Sequence, residues 1–256
     1  MLKSENSTIK TIKSLYDERA KYGPYSTLAP FSKGNDKSKY ISHVFDYAIF
    51  SRLAVVQKMT RVLDYGCGTG ILTNQLPDYF PEVVGVDISE KMLAIAENLK
   101  LNHENVKFEL IDGLTMPFKN NYFSVVIARE SLCHVPDKAL PRVASEICRV
   151  IEEGGIFLLL EQVTESKSWR NPPEASYTIK RSVDELIAVI EKQGLSLCSV
   201  KTVRKPRFPW IYLIQMGIVP RYIYKKLAKL EVLFVQTIFP VKTCRWHDVL
   251  FTFQKI

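Results

Sequence analysis

The segment Asp64–Gly70, with the sequence Asp-Tyr-Gly-Cys-Gly-Thr-Gly, is the strongest chemical signal in the chain. It follows a run that reads as a buried strand and precedes a predicted helix. Glycine tolerates the backbone angles of a tight turn and lets a ligand approach the main chain with no Cβ in the way. Alone, the turn would also suit a dehydrogenase, but its spacing is G-x-G-x-G, whereas a pyrophosphate site has G-x-G-x-x-G.

Two aspartates follow the next two predicted strands. Asp87 ends the second strand, where a carboxylate can accept hydrogen bonds from both hydroxyls of a ribose. Asp112, followed by Gly113, comes after the third strand, within reach of an adenine amino group. Each aspartate by itself is more often a turn former or a helix cap. Three such features at successive strand ends of one sheet favour a ligand, because ligands of open α/β sheets bind there.

Short apolar runs and longer amphipathic segments alternate from about Thr60 onward. Seven runs predict strands: Arg61–Tyr65, Val83–Val86, Val106–Leu110, Phe123–Ala128, Ile156–Leu160, Leu195–Val200 and Asp248–Gln254. Helical periodicity predicts helices from Gly70 to Pro77, after Ser89, from Pro136 to Ile151 and from Arg181 to Gln193. Continuous apolar strands separated by helices indicate a mostly parallel seven-stranded sheet, covered on both faces in an α/β three-layer sandwich.

Two segments fall outside this alternation and divide the chain. Residues 1–58 predict an N-terminal helical lid, and residues 59–202 predict the ligand-binding core. Residues 203–245 are rich in basic and aromatic side chains and predict a helical cap insertion, and residues 246–256 then return to the core as its last strand. The cap segment has too many large apolar side chains for a solvated loop, so we expect it to be buried against a lid, a second subunit or a lipid surface.

The motifs resemble those of one enzyme family in order and spacing. Val62–Gly70 is similar to motif I of class I S-adenosylmethionine-dependent methyltransferases of the small-molecule, type 11-like kind. The resemblance continues through Gly85–Ser89, Ile111–Phe118, and Glu146–Val150 with its following glycine pair, and it covers about residues 60 to 162. It implies a Rossmann-like fold and S-adenosylmethionine as the cofactor, with S-adenosylhomocysteine as its product.

The resemblance also implies a set of cofactor-binding residues and no metal. Asp64, Gly66, Gly68 and Gly70 would surround the methionine moiety, Asp87 would hold the ribose, Ile88 would pack on the adenine, Asp112 and Gly113 would meet the adenine edge, and Arg129 would line the pocket by its backbone. The sequence departs from the usual pattern at Tyr65, commonly aliphatic, and at Glu152-Glu153, where Lys-Pro is common.

Catalysis is predicted around the segment that follows the fourth strand. In similar small-molecule O-methyltransferases a histidine at the position of His134 can face the acceptor and act as a base. A hydroxyl is a poor nucleophile until its proton is removed, and histidine titrates near neutral pH. The alternative is that His134 only caps the next helix. Glu161, at the end of the fifth strand, is expected to orient the imidazole or to bind an acceptor hydroxyl.

Bulk properties exclude several classes of protein. The first thirteen residues are polar and do not form a secretory signal, and the longest apolar stretches have about ten residues, about half a membrane span. The five cysteines are scattered and never spaced C-x-x-C, which argues against a disulfide framework and a zinc site. Of the net charge of +8, most comes from residues 201–256, which hold eleven Lys/Arg and two acids. We expect a cytoplasmic protein, with peripheral membrane contact through this basic region left open.

These observations predict methyl transfer to a small acceptor, favouring a hydroxyl of a sugar, of a polyprenyl- or lipid-linked intermediate or of another secondary metabolite. Two alternatives stay open: an RNA or protein methyltransferase that uses the basic region, and an S-adenosylmethionine-binding protein without catalysis. Nucleic acid is the less favoured partner because the sequence has no recognisable RNA-binding module. A homodimer is a further expectation that the sequence does not decide.

Overall fold

Nine strands and seven α-helices account for most of the computed structural model, which describes residues 2–26, 36–57, 59–100, 103–164, 169–170, 177–205, 210–238 and 246–256. The strands are β1 Arg61–Tyr65, β2 Glu82–Asp87, β3 Val106–Leu110, β4 Phe123–Arg129, β5 Ile151–Thr164, β6 Trp169–Arg170, β7 Ile179–Ser182, β8 Leu195–Arg204 and β9 His247–Lys255. The helices are α1 Leu2–Arg19, α2 Asp36–Leu53, α3 Glu90–Leu99, α4 Leu140–Val150, α5 Val183–Glu191, α6 Trp210–Gln215 and α7 Tyr224–Ile238.

Seven of these strands form the predicted sheet, in the order β3-β2-β1-β4-β5-β9-β8. The pairs from β3 to β5 are parallel, and β9 runs antiparallel to both β5 and β8. The mostly parallel α/β fold is therefore confirmed. Two short strands were not predicted: β7 continues the sheet beside the end of β5, and β6 pairs with β7. Because β1, β2 and β4 are parallel and in register, the residues after Tyr65, Val86 and Ala128 meet at one edge.

Alternate residues of the buried strands supply two separate cores, one on each face of the sheet. On one face, residues such as Leu63 and Val126 pack with the apolar sides of α4 and α5. On the other, their neighbours Val62 and Val125 pack with α2, α6 and α7. This alternation is what a strand covered on both sides requires, because successive side chains point to opposite faces. The three-layer arrangement follows from it.

The segment predicted as a cap is helical over residues 210–215 and 224–238, and these helices pack on the same face of the sheet as α2. Ile211, Ile214, Tyr224, Ala228 and Val232 pack into the same core as α2, so α6 and α7 extend the helical layer on that face. A role as a substrate cap stays a prediction. Residues 27–35 of the predicted lid, and 206–209 and 239–245 of the predicted cap, lie outside the described residues. No helix among the described residues has both the length and the apolar character needed to cross a membrane.

Two local predictions were wrong. The helix expected after Gly70 is only a 3₁₀ turn, Thr73–Gln75, because Pro77 follows too soon for a second turn to form. The strand predicted as Ile156–Leu160 is longer, since β5 begins at Ile151 and includes Glu152–Gly155, where the pairing with β4 shifts register between Phe123 and Val125. A bulge there absorbs the glycine pair without ending the strand.

A buried ion pair attaches α2 to the sheet. The Arg129 guanidinium lies 2.7 Å from the Asp46 carboxylate, and the side chains are each 9% exposed. Asp46 also accepts hydrogen bonds from Gln75 and Ser42. A charge left buried without its partner is costly, so each member of the pair depends on the other.

Asp46→Ala should therefore lower the free energy of unfolding by about 3–5 kcal/mol, because it leaves the buried guanidinium of Arg129 without its charged partner. Urea denaturation followed by circular dichroism measures this. Glu18→Ala is the matched control, since its pair with Lys21 is exposed on α1 and should leave the unfolding midpoint nearly unchanged. Equal, small effects of the two substitutions would contradict the role of the buried pair.

Candidate active site

A cavity opens at the carboxyl edge of the sheet, where the loops after β1, β2 and β4 meet. Gly66 and Gly68 line it, with φ angles of +72° and +55° that favour glycine. A Cβ on Gly66 would lie 2.5 Å from the Cβ of Ser131, so this loop approaches the loop after β4 too closely for any side chain. The loop therefore exposes main-chain groups to the cavity, as the sequence predicted.

Asp87 joins the first two loops and faces the cavity. Its Oδ2 accepts a hydrogen bond from the Gly68 N–H at 2.9 Å, and its Oδ1 accepts one from the Ser89 N–H at 2.8 Å. Each oxygen keeps a second lone pair for a ligand. Burial raises the pKa of Asp87 to about 6, and the two backbone donors partly oppose that shift.

An apolar wall continues from Asp87 and suits a flat ring. Ile88, Ile111 and Leu114 line it, together with Gly113. Gly113 has a φ of +80°, and a Cβ there would lie 2.9 Å from Cγ2 of Ile88. The Tyr65 hydroxyl donates to the Gly113 carbonyl at 2.9 Å, so the departure from the family pattern at Tyr65 ties β1 to this wall.

Of the predicted cofactor residues Asp64, Asp112 and Gly70, only Asp64 lines the cavity. Asp64 is buried, lines the cavity and accepts a hydrogen bond from the Thr73 hydroxyl at 2.6 Å. Asp112 is exposed, does not line the cavity, and uses its carboxylate to bind the backbone of Leu114 and Thr115 in a turn. Gly70 also lies outside the lining and instead lets the loop pack on α3. A contact of Asp112 with adenine stays a prediction.

Arg129 lines the cavity next to Asp64, while its guanidinium is occupied by Asp46. A contact of the Arg129 backbone with the cofactor stays a prediction. The wall of the pocket and the attachment of α2 share this one residue.

His134 lines the opposite side of the cavity and is held at both ring nitrogens. Nδ1 lies 2.6 Å from the carbonyl oxygen of Tyr177, and Nε2 lies 2.6 Å from the hydroxyl of Tyr16. A carbonyl can only accept, so Nδ1 carries the proton and Nε2 accepts from Tyr16. Burial lowers the pKa of His134 to about 4, and the nearby Arg19 lowers it further. The imidazole is therefore neutral at physiological pH.

Tyr16 comes from α1, which crosses the cavity. Ile9 and Ile12 lie on the same side of the helix as Tyr16, and all three line the cavity. Asp17 accepts a hydrogen bond from the Ser89 hydroxyl at 2.5 Å, which fixes α1 against the loop after β2. Sequence reasoning placed Tyr16 in a lid but missed its contact with His134. No local pattern relates two residues that are 118 positions apart.

Glu161 is buried, and among the described residues no hydrogen bond joins it to the His134 imidazole. Its Oε1 accepts from the backbone N–H groups of Leu132 and Cys133, at 2.6 and 3.2 Å. These residues begin the 3₁₀ turn Leu132–His134, so Glu161 positions His134 through the backbone. Burial raises the pKa of Glu161 to about 7.

Glu130 also lines the cavity, and the sequence analysis did not single it out. Its backbone has a φ of +54°, in the left-handed region, and its Oε1 has no hydrogen-bond partner among the described residues. Burial raises the pKa of its carboxyl well above the ordinary value, and the neighbouring acids Asp248 and Glu161 raise it further. Non-glycine residues with positive φ are uncommon and concentrate at functional sites, which is the signal that only the structure reveals.

The comparisons with known proteins agree with this geometry. A family model described as a methyltransferase domain matches residues 62–155, the stretch from β1 into β5. This stretch is similar to methyltransferase domains of the class I, S-adenosylmethionine-dependent kind. A demethylmenaquinone methyltransferase from Staphylococcus aureus is 37% identical over 109 residues, which are 41% of this chain and 44% of the relative. The chain thus aligns with less than half the length of this curated relative.

Solved methyltransferase structures share the fold at low identity. The geranyl diphosphate C-methyltransferase of Streptomyces coelicolor superposes with a TM-score of 0.67 and 14% identity, covering 97% of this chain and 98% of that one. A phosphoethanolamine N-methyltransferase of Haemonchus contortus, solved with S-adenosylmethionine, superposes with a TM-score of 0.61 and 21% identity, covering 82% and 52%. The superposition with the first of these extends beyond the methyltransferase domain to nearly the whole chain.

The residues present fit S-adenosylmethionine. The Asp87 carboxylate can accept hydrogen bonds from a diol, and the apolar wall around Ile88 and Leu114 suits adenine. Gly66 and Gly68 expose main-chain groups to the cavity. Asp64 adds a buried carboxylate to the same lining, and its contact with the methionine end of the cofactor stays a prediction. Among the described residues, no group of three or more metal-ligating side chains is present.

Asp87→Asn should weaken binding of S-adenosylhomocysteine by about 1–3 kcal/mol, because the ribose loses its charged acceptor. The pKa near 6 adds a pH dependence with a definite sign. Below about pH 6 the free protein protonates Asp87, so the affinity of the wild-type methyltransferase should fall as pH falls. In Asp87→Asn that fall should be lost. Isothermal titration calorimetry from pH 5 to about pH 8 measures both effects.

Asp78→Asn is the control, because Asp78 is exposed and lies outside the cavity lining. It should bind as the wild type does at every pH. Wild-type protein that bound neither S-adenosylmethionine nor S-adenosylhomocysteine but took up NAD would show that the cofactor assignment is wrong.

Proposed function

We propose that the chain transfers a methyl group from S-adenosylmethionine to a hydroxyl of a small acceptor held beside Tyr16 and His134. One observation carries the proposal: the chain of hydrogen bonds from Tyr16 to His134 to Tyr177 opens on the cavity that Asp87 and the glycine loop also line. A base is thus present in the same cavity as the residues that fit the cofactor.

The bound cofactor supplies a methyl group on a sulfonium that is already activated, so alignment and exclusion of water provide most of the acceleration. The protein must remove the acceptor proton. His134 Nε2 is occupied by the Tyr16 hydroxyl, so the acceptor hydroxyl meets Tyr16 first. When the acceptor oxygen takes the methyl group and the methyl–sulfur bond breaks, the acceptor proton would pass to Tyr16 Oη and the Tyr16 proton to Nε2 of His134.

The electrostatics of the cavity favour this relay over a free tyrosinate. Burial raises the pKa of Tyr16 above its ordinary value, so Tyr16 serves as a conduit and not as the final proton holder. The imidazolium that forms at His134 replaces the positive charge that the cofactor loses, so the net charge of the cavity stays the same. The Tyr177 carbonyl keeps its hydrogen bond to Nδ1 throughout and stabilises that cation.

Glu130 adds a recognition group on the acceptor side. Burial raises the pKa of its carboxyl well above the ordinary value, which favours the protonated form, and a protonated carboxyl can both donate and accept a hydrogen bond. It lines the cavity with His134, Val135 and Pro136. An acceptor with a second hydroxyl or a carbonyl next to the reacting oxygen would use this group.

The acceptor class we favour is a sugar hydroxyl or a polyprenyl- or lipid-linked intermediate. The part of the cavity contributed by α1 is apolar at Ile9 and Ile12, which suits an acceptor with a hydrocarbon portion. Two of the similar proteins, by their names, act on demethylmenaquinone and on geranyl diphosphate, which supports this class without fixing the acceptor or the atom that is methylated.

His134→Ala should reduce kcat by roughly 100-fold or more and leave cofactor affinity nearly intact, the usual scale for loss of a general base. Tyr16→Phe should also reduce kcat, because it removes the oxygen that joins acceptor and imidazole. Radiolabelled S-adenosylmethionine, with a panel of sugar, polyprenyl-linked and phenolic acceptors, gives the rates. His103→Ala is the control, since His103 lies at the opposite, amino end of β3.

The proposal also predicts how kcat depends on pH. Because His134 must be neutral and its pKa is about 4, kcat should stay level from pH 8 down to about pH 5 and fall only below that. An unchanged rate in His134→Ala on the true acceptor would reduce His134 to a structural part of its turn. Tight cofactor binding with no turnover on any acceptor would favour the binding protein without catalysis.

A further inference from the structure

The outer side of α6 and α7 exposes an unusual amount of apolar surface. Eight of the fourteen large apolar side chains that are exposed in the described part of the chain lie between Tyr212 and Phe234. Among them, Met216 is 71% exposed, Ile218 57% and Tyr222 83%. Monomeric soluble proteins seldom cluster such side chains on one face without a partner. We call this face, from Tyr212 to Phe234, the outer cap surface.

Packing does not account for these residues. The inner side of α7, with Tyr224, Ala228 and Val232, already packs into the core that it shares with α2. The outward positions follow the helical period: Lys225, Lys226 and Lys229 in the first two turns, then Leu230, Leu233 and Phe234. The outward face is therefore basic at its start and apolar at its end.

The charge on this surface has a single sign. Residues 210–238 contain four basic residues and one acid, Glu231. Glu231 is buried, accepts a hydrogen bond from the Tyr40 hydroxyl at 2.6 Å, and has a pKa raised to about 7 by burial. Arg221 is paired with Asp36. The three lysines Lys225, Lys226 and Lys229 thus give the exposed part of α7 a positive potential without an acid on the same helix face.

We propose that the outer cap surface docks the protein on an anionic lipid bilayer. Exposed aromatic and aliphatic side chains beside lysines suit the boundary between headgroups and acyl chains, and the lysines face anionic headgroups. A second copy of the chain fits less well. A two-fold contact would bring each surface against itself and oppose six lysines, with no acid between them. The proposal does not depend on the identity of the acceptor or on catalysis.

Co-sedimentation with vesicles tests the proposal on the full chain. Wild-type protein should sediment with vesicles of phosphatidylcholine and phosphatidylglycerol in equal amounts, and stay in solution with phosphatidylcholine alone. Raising the salt concentration should weaken binding, because exposed charges are screened. The triple variant K225E/K226E/K229E should bind the anionic vesicles at least ten-fold more weakly. L233S/F234S should also weaken binding, and the loss should persist at low salt.

A matched triple variant on the core, K107E/K119E/K138E, has the same change in net charge at exposed positions of the core, away from α6 and α7. It should bind vesicles as the wild type does. Binding of S-adenosylhomocysteine and the melting temperature show that each variant is folded.

Several outcomes would overturn the proposal. These are equal loss of binding in the two triple variants, no binding of the wild type to anionic vesicles, or binding to polyuridylate in place of vesicles. A dimer in sedimentation velocity that L233S/F234S converts to a monomer, with no lipid binding, would assign the surface to a second copy.

Discussion

The site depends above all on the way the Asp87 carboxylate holds two loops together. It accepts one backbone hydrogen bond from the glycine loop after β1 and another from the start of α3. Two parallel strands in register bring these loops to the same edge, where the Gly66 and Cys67 N–H groups donate to the Val86 carbonyl and the Asp87 carboxylate adds a side-chain link. The same carboxylate faces the cavity, so the backbone of the two loops sets its position in the lining.

The second half of the site is built from elements that are distant in sequence. His134 sits on a short turn that Glu161 of β5 holds by its backbone, while Tyr16 reaches it from α1. Asp17 of α1 accepts a hydrogen bond from Ser89, and this bond fixes α1. Ser89 directly follows Asp87 and Ile88, which both line the cavity. His134 and the part of the cavity beside Asp87 are therefore coupled through one helix, and a shift of α1 would alter both.

The periodicity of the chain was sufficient to predict the sheet and most of its helices. β1 matched to the residue because a strand buried on both faces needs a continuous apolar run, which charged neighbours and glycines delimit. The edge strand β3 also matched to the residue, and its apolar residues alternate with Lys107 and Glu109. The prediction of a helix after Gly70 was wrong because Pro77 allows only one turn, Thr73–Gln75. β7 was missed because Ile179–Ser182 is too short to show a period, and its pairing with β5 is a tertiary contact.

Within the site, the sequence by itself determined which residues stand at the strand ends: Gly66, Gly68, Asp87, Gly113 and Arg129 all follow buried strands or lie one turn beyond. Only the tertiary structure decided which of the conspicuous residues face the cavity. The exposed Asp112 carboxylate binds the backbone of Leu114, and Glu161 binds the backbone of Leu132. Tyr16 and Glu130 line the cavity together with His134. The reason is physical: strand ends follow from local periodicity, whereas a side chain's partner depends on elements that meet only when the chain has folded.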